Sequence, residues 1–440
     1  MIDAQANSIY TITHATRLLP AISLPPAIDS DALLQLARES RLVVRRPRKL
    51  QPLNFLSSCL LAVSCGTCSL RCQAILAGLF GAGITLSKQA LHKRMGNASA
   101  IFMANVLARL LSARVQAKEI CRGPFGRILV QDSTCLSLPQ SLLSLFPGAS
   151  NALGRSACAR IQCVVELLSE RFIDFSIAPF TRNDQSASSD LLDLLRPDDL
   201  ILRDLGYFCI SVLERIGRAG AFFITRWQYG TSLLDPGSGN PIDLLRLLDR
   251  GRPLDIRVLL GKNDKMPVRL IAFPLPQHIA DSRRRKARAD RDRRTNHSKE
   301  FLALLSWNFF LTNADQNILP PKHAARLYRL RWRIEILFKS WKSHLGLSSL
   351  AKVGTRQIKT LLCAQLLLAL LLHHSLPVAA GTFSVLNLAQ FFSLFLLPIA
   401  LASLAPSDII PALADQIRRH CRYESRKRPN YMSLKESFLC

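Results

Sequence analysis

Three apolar runs follow one another closely between residues 126 and 180: GRILVQDSTCLSL, ARIQCVVELLS and RFIDFSIAPF. Each is strand-like, with Ile beside Val and Leu in the first two and beside Phe in the third, and their succession predicts three adjacent strands in an antiparallel meander. SSDLLDLLRP then reads as a helix, DLILRDLGYF as a buried strand, CISVLERIGRAG as a helix and AFFITRWQYG as another strand. Strands followed by alternating helix and strand predict an α/β fold: a mixed five-stranded sheet with helices on its faces.

Residues 227–315 interrupt this alternation. TSLLDPGSGNPI is a Gly/Pro turn region, DIRVLLGKNDKMPVRLIAFPLP reads as short strands, and FLALLSWNFFLTN as one long strand. Between them lies the charge run SRRRKARADRDRR, which predicts a solvated helix or tail, or a segment that tracks a phosphate backbone. The pattern divides the chain into a mainly helical N-terminal region over 1–125, a core over 126–226, a β-rich insertion over 227–315, a second part of the core over 316–350 and a helical C-terminal region over 351–440. In the first region, after an irregular lead, the pattern is helical over about 53–118. There Ser87 is a candidate N-cap for the basic helix in ITLSKQALHKRM, which resembles the second half of a helix-turn-helix. In the last region, LLCAQLLLALLL is too short to cross a bilayer, and LNLAQFFSLFLLPIALASLA carries Asn387, Gln390 and Pro398. Buried helices in a core or a dimer interface are the better reading.

Charge changes the picture more than hydropathy does. The formal net charge of the 440 residues is +27. An excess of this size predicts a polyanionic partner, because Lys and Arg release counterions when they neutralise phosphates. The N-terminus lacks a basic stretch followed by an apolar core, so no signal peptide is expected. The twelve cysteines are scattered and fit a reducing cytosol. Four of them crowd together as Cys59, Cys65, Cys68 and Cys72 without a second pair at zinc-ligand spacing, and predict a cysteine-rich buried helix face.

Two acidic residues close predicted strands: Asp132 in VQDST and Asp204 in LILRDLGYF. In open α/β sheets the carboxyl ends of strands are where ligands collect. Each Asp alone is also a good turn former or helix cap. A third acid stands isolated in the basic stretch LYRLRWRIEILFKSWKSHLGL, as Glu335. At about 100° per residue, Tyr328, Arg331, Glu335 and Lys342 fall within roughly 60° of one another on a helix. Leu330, Trp332, Ile334, Leu337, Phe338 and Trp341 lie mostly on other faces, available for packing. Three carboxylates from distant segments suffice to hold Mg2+ ions, which can stabilise the attacking and leaving oxygens of a phosphodiester.

The pattern Y-x2-R-x3-E-x6-K, read as Tyr328, Arg331, Glu335 and Lys342, resembles the signature of a subgroup of bacterial insertion-sequence transposases of the DDE type. The resemblance covers about residues 126–350, with DST and RDLGYF upstream in the matching order. It implies a ribonuclease-H-like fold, with Asp132, Asp204 and Glu335 as catalytic metal ligands for Mg2+, for which Mn2+ can substitute. It implies that Tyr328, Arg331 and Lys342 face DNA phosphate. Trp307 matches a tryptophan that stacks on a flipped-out base, and Arg226 an arginine directed at DNA ends. Trp307 can equally be a buried strand residue, and Arg226 a solvent-facing strand-end arginine. The implied activity is cleavage of double-stranded DNA at the element's ends, through a hairpin in some relatives, and joining of the 3′-OH to target DNA. Implied partners are element ends and target DNA, with a homodimer in the synaptic complex. No membrane partner is expected, and the implied location is the cytoplasm, associated with the nucleoid. Two rival readings are a catalytically inactive DNA-binding derivative and a membrane-associated protein anchored by 386–405.

Overall fold

The computed structural model describes residues 28–402, apart from 46, 48–49, 67–68, 80–85, 116–122, 152–153, 169–170, 249–251, 290–297, 345–353 and 376–383. Of the irregular lead expected over 1–50, residues 1–27 lie outside the described residues and Ser30–Glu39 form a helix, capped by Asp29; the basic run RRHCRYESRKRPNY, 418–431, also lies outside them.

Five helices come first: α1 (Ser30–Glu39), α2 (Pro52–Ser64), α3 (Leu70–Leu79), α4 (Lys88–Arg94) and α5 (Asn97–Val115). Ser87 caps α4 as expected, its hydroxyl accepting from the Ala90 N–H at 3.1 Å. The meander follows as β1 (Ile128–Ser137), β2 (Pro147–Asn151), β3 (Gly154–Glu166) and β4 (Arg171–Pro179), β2 being an extra edge strand. After it come β5 (Leu200–Arg203), α6 (Ile210–Arg218) and β6 (Phe222–Arg226).

β1 pairs antiparallel with β3, and β3 with β4, while β1, β5 and β6 run parallel as neighbours. The core order is thus β4-β3-β1-β5-β6, the mixed five-stranded sheet expected. The inserted segment extends this sheet. β7 (Leu233–Leu234), β8 (Leu254–Leu260), β9 (Met266–Pro274) and β10 (Trp307–Thr312) continue it, with β10 antiparallel to β6. The insertion also carries the short helix α7 (Leu244–Leu247).

Three expectations fail locally. SSDLLDLLRP forms turns and one 3-10 turn at Leu192–Leu194, where Arg203 takes up the Ser188 carbonyl and Arg127 the Leu194 carbonyl. The long strand read in FLALLSWNFFLTN is the helix α9 (Lys299–Leu304) followed by β10. Ser298 stops the strand there by capping the Phe301 N–H at 3.1 Å. The charge run forms α8 (Gln277–Ala289), and two of its arginines fold inward. Arg283 donates to the Trp307 carbonyl at 3.2 Å and to Asn308 Oδ1 at 2.8 Å, and Arg284 donates to the Leu302 carbonyl at 3.1 Å.

Both faces of the sheet are covered, so its central strands read as unbroken apolar runs. The pleat sorts them by parity. Ile128, Val130, Leu200 and Leu202 join one core, with the N-terminal helices and, last among the described residues, α10 (Pro321–Leu330), α11 (Trp332–Ser343), α12 (Thr355–Ser375) and α13 (Val385–Ala402). Leu129, Ile201 and Phe223 join the other core, with Val212, Leu213 and Ile216 of α6. No helix among the described residues is long and apolar enough to cross a membrane. Of the expected cysteine-rich buried face, Cys59 is buried, Cys65 is exposed and Cys72 half-buried, and Cys68 lies outside the described residues.

Trp341 fastens α11 to the sheet, its ring 5.3 Å from that of Phe172 and 5.6 Å from that of Phe175. Trp341→Ala should cost about 3–5 kcal/mol of stability, as expected for a buried tryptophan. Chemical denaturation checks this; a loss below about 1 kcal/mol would mean that α11 is held by other contacts.

Candidate functional site

Strand parity selects the face of the site. The β1–β5 pairing ends with Gln131 opposite Arg203. The next residues are Asp132 and Asp204, so the two carboxylates sit side by side where the parallel pairing stops. Asp204 lies just past β5 as expected, but Asp132 does not close its strand: β1 runs on to Ser137, paired there with β3 alone. Both share parity with Val130 and Leu202, which face α10 and α11. Gln131 and Arg203 point the other way and tie down the preceding loop: Gln131 Nε2 donates to the Ala187 carbonyl at 3.0 Å, and Arg203 donates to the Ser188 carbonyl.

The stretch from Tyr328 to Lys342 is not one helix. α10 ends at Leu330 and α11 begins at Trp332, with Arg331 at the joint. The backbone there tightens by one residue: Arg331 N–H donates to the Tyr328 carbonyl, and Ile334 N–H to the Arg331 carbonyl, both at 3.2 Å. A continuous helix was expected because the stretch contains no Pro or Gly to mark a break. Trp332, assigned to packing, is instead 57% exposed, turned outward at the joint.

The joint places Arg331 at the centre of the site. Its Nη1 donates to Asp132 Oδ2 at 2.9 Å and its Nη2 to Glu335 Oε1 at 2.7 Å. The other Asp132 oxygen, Oδ1, accepts from the Ser133 N–H at 2.8 Å. Tyr328 completes the group: its hydroxyl donates to the Arg203 carbonyl at 3.2 Å and lies 3.4 Å from Asp204 Oδ1. Tyr328 is buried and Glu335 exposed, so the cluster runs from the sheet outward to solvent. Burial pushes the Asp132 carboxyl up to about 6, against the pull of Arg331 and the Ser133 N–H, and the Asp204 and Glu335 charges add to the rise. Burial also pushes the Tyr328 phenol up to about 12, and Asp204 adds to that shift.

Three carboxylates fit a hard divalent cation by donor chemistry. Their spacing here is set by Arg331, which stands between Asp132 and Glu335. Among the described residues, no three His, Cys, Asp or Glu side chains are gathered closely enough to hold a metal ion.

The remaining candidates flank this centre. Arg226, at the end of β6, places its guanidinium carbon 5.6 Å from the Tyr328 ring centroid. It also lines a cavity of about 190 Å3 together with Trp307, Trp227, Tyr229 and Arg283. Trp307 is only 6% exposed, so its ring forms a wall of this cavity and no open platform. Lys342 is exposed near the end of α11. Sequence reasoning missed Asp184, Arg160 and Gln162 beside Asp132, and Arg283 beside Trp307. No spacing pattern links these positions, which meet only through strand register and loop return.

Residues 123–372, more than half of the chain, match the family model described as a transposase DDE domain. The chain is 27% identical over 365 residues to the transposase for insertion sequence element IS231F of Bacillus thuringiensis subsp. israelensis, covering 77% of this chain and 76% of that one. It is 28% identical over 310 residues to the transposase for insertion sequence element IS1151 of Clostridium perfringens, with 65% of each chain covered. It is 27% identical over 377 residues to the putative transposase InsL for insertion sequence element IS186A of Escherichia coli strain K12, covering 82% of this chain and 94% of that one. Among solved structures it resembles the cryo-EM structure of a piggyBac transposase synaptic complex with hairpin DNA. That match has a TM-score of 0.40 and 9% identity, and covers 96% of this chain and 87% of the other.

The electrostatics give a directional prediction. Asp132 sits at about 6, above the ordinary carboxylate value of 3.8, so the folded state takes up its proton before the unfolded state does. Protonation therefore stabilises the fold as pH falls through about 6 toward 3.8, and that gain is absent at higher pH. Arg331→Ala removes the attraction that restrains this shift, so the window should extend above pH 6. Melting temperature against pH for the two proteins checks the sign. An unchanged upper edge would mean that Arg331 does not set the charge state of Asp132.

Proposed function

Because the chain belongs to the transposase DDE domain family, we propose that it cleaves the ends of an insertion sequence and joins the freed 3′-OH to target DNA. The observation that supports this reading is the placement of Asp132 and Asp204 on neighbouring strands where their parallel pairing stops, with Arg331 bridging Asp132 to Glu335 of one helix. Asp132, Asp204 and Glu335 would hold Mg2+, or Mn2+ in its place. The bound ion would stabilise charge on the attacking and leaving oxygens of a phosphodiester and supply the nucleophile.

The protein's own groups divide the remaining work. Arg331 and Lys342 provide positive charge for the phosphate of the terminal nucleotide, Arg331 with a fork that can grip two oxygens and Lys342 as a point charge. The Tyr328 hydroxyl is a hydrogen-bond donor beside Asp204 and can turn toward that phosphate. Trp307 and Arg226 line one cavity next to Tyr328, where a base extruded from the duplex could stack at an aromatic wall and find a positive charge. On this reading a DNA hairpin is an intermediate and a homodimer pairs the two ends, in the cytoplasm on nucleoid DNA. The net charge of +27 suits a polyanion of that size.

The test uses a duplex carrying the element's terminal inverted repeat. Glu335→Ala and Asp132→Asn should each abolish Mg2+-dependent strand cleavage and leave binding of the same duplex largely intact. Cleavage persisting in either variant would refute the assignment of these carboxylates. Trp307→Ala should depress hairpin formation more than first-strand nicking; equal losses in both steps would make Trp307 a purely structural wall.

A further inference from the structure

A fourth acid, Asp184, lies beside the cluster in the polar loop between β4 and β5. Its Oδ1 accepts from three side chains: Ser133 Oγ at 2.6 Å, Arg160 Nη1 at 2.9 Å and Gln162 Nε2 at 3.1 Å. Arg160 Nη1 also donates to Ser133 Oγ at 3.1 Å, which closes a small ring of bonds. Ser133 follows Asp132, and its N–H is the group that holds Asp132 Oδ1. Anchoring Ser133 therefore fixes the orientation of the Asp132 carboxylate.

The opposite side of Asp184 meets the other strand end. Gly206 lies in the 3-10 turn Leu205–Tyr207, immediately after Asp204. A Cβ added there would lie 3.1 Å from Asp184 Oδ2 and 3.3 Å from Asp184 Cβ. Glycine thus lets Asp184 press against the backbone of that turn. The next residue, Tyr207, donates its hydroxyl to Gln162 Oε1 and so ties the same turn into the network from β3. Asp184 is wedged between the two segments that carry Asp132 and Asp204. Its charge is matched by Arg160, and its Oδ1 is occupied by three donors.

We propose that Asp184 is a positioning residue: it sets the separation and orientation of Asp132 and Asp204, and through them the affinity of that pair for a divalent cation, without holding the cation itself. The inference rests on the metal-binding reading above. Groups that orient metal ligands from behind typically change affinity by about 10–100-fold when removed.

The experiment titrates Mn2+ into the full chain without DNA, by calorimetry, and follows melting by circular dichroism. Asp132→Asn serves as the reference and should lose measurable binding. Asp184→Ala should weaken Mn2+ binding about tenfold or more while the protein remains folded. Asp184→Asn, which keeps the wedge and can still accept from Ser133, should lose less. Gly206→Ala reaches the same contact from the other side and should also weaken binding. The double variant Asp184→Ala/Gly206→Ala should lose less than the two single losses combined, because only the Cβ of residue 184 remains to meet the added methyl group.

If Asp184→Ala melts early, Gly206→Ala carries the test alone. Wild-type affinity in folded Asp184→Ala or in Gly206→Ala, with binding lost in Asp132→Asn, overturns the inference and leaves the metal reading standing. Loss in Asp184→Asn as complete as in Asp132→Asn would also overturn it, by making Asp184 a ligand. Wild-type Mn2+ affinity in Asp132→Asn would sink the metal reading and this inference with it.

Discussion

One guanidinium holds the site together. Arg331 is 7% exposed and bridges Asp132, itself largely buried, to Glu335 on the next helical turn. Gathering carboxylates at the end of a covered sheet costs desolvation and mutual repulsion, and a positive charge within hydrogen-bond reach offsets both. The break between α10 and α11 follows from that demand. The tightened backbone at Arg331 aims its side chain inward while Tyr328 and Trp341, on either side of the joint, remain packed.

The sheet dictates where this can happen. Parallel pairing of β1 with β5 stops one residue before Asp132 and Asp204, and the pleat sends every second side chain to the face covered by α10 and α11. A slip of one residue in that register would exchange Asp132 for Gln131 at the site. Gln131 and Arg203, buried on the far side, are bonded to each other at 2.7 Å and to the loop that returns to β5. The residues behind the site thus lock the register that places the residues in front of it.

Much of this is legible in the sequence because it rests on short periods. Alternation and apolar runs locate the core strands. A strand end locates Asp204, and the spacing from Tyr328 to Lys342 marks Glu335; Asp132 follows the apolar run of β1, but the strand continues past it to Ser137. What stays hidden depends on contacts between distant residues. Asp184 sits in TRNDQSAS, a polar segment whose composition says only that it is a loop. Its role appears when Ser133 and Gln162 fall opposite each other in the β1–β3 ladder. Arg283 is hidden in a charge run, because an inward-folded arginine and a solvated one have the same composition. The joint at Arg331 is hidden because nothing in LRWRIE breaks a helix; its backbone stays right-handed helical, and only the hydrogen bonds shift to a three-residue spacing.

The arrangement also constrains how the proposed function can work. Arg331 cannot grip a phosphate while both ends of its fork are committed to Asp132 and Glu335. The carboxylates in turn cannot be left without a counter-charge, since Asp132 already sits at about 6 with Arg331 beside it. Arg331 can therefore turn toward DNA only when another positive charge balances the acids it leaves. Glu335, the more exposed end of the bridge, is the partner whose release costs least, because water can solvate it as the guanidinium departs. Asp132 has no such outlet at 16% exposure, so the part of β1 it shares with Ser133 must already be held in place before the charge is exchanged.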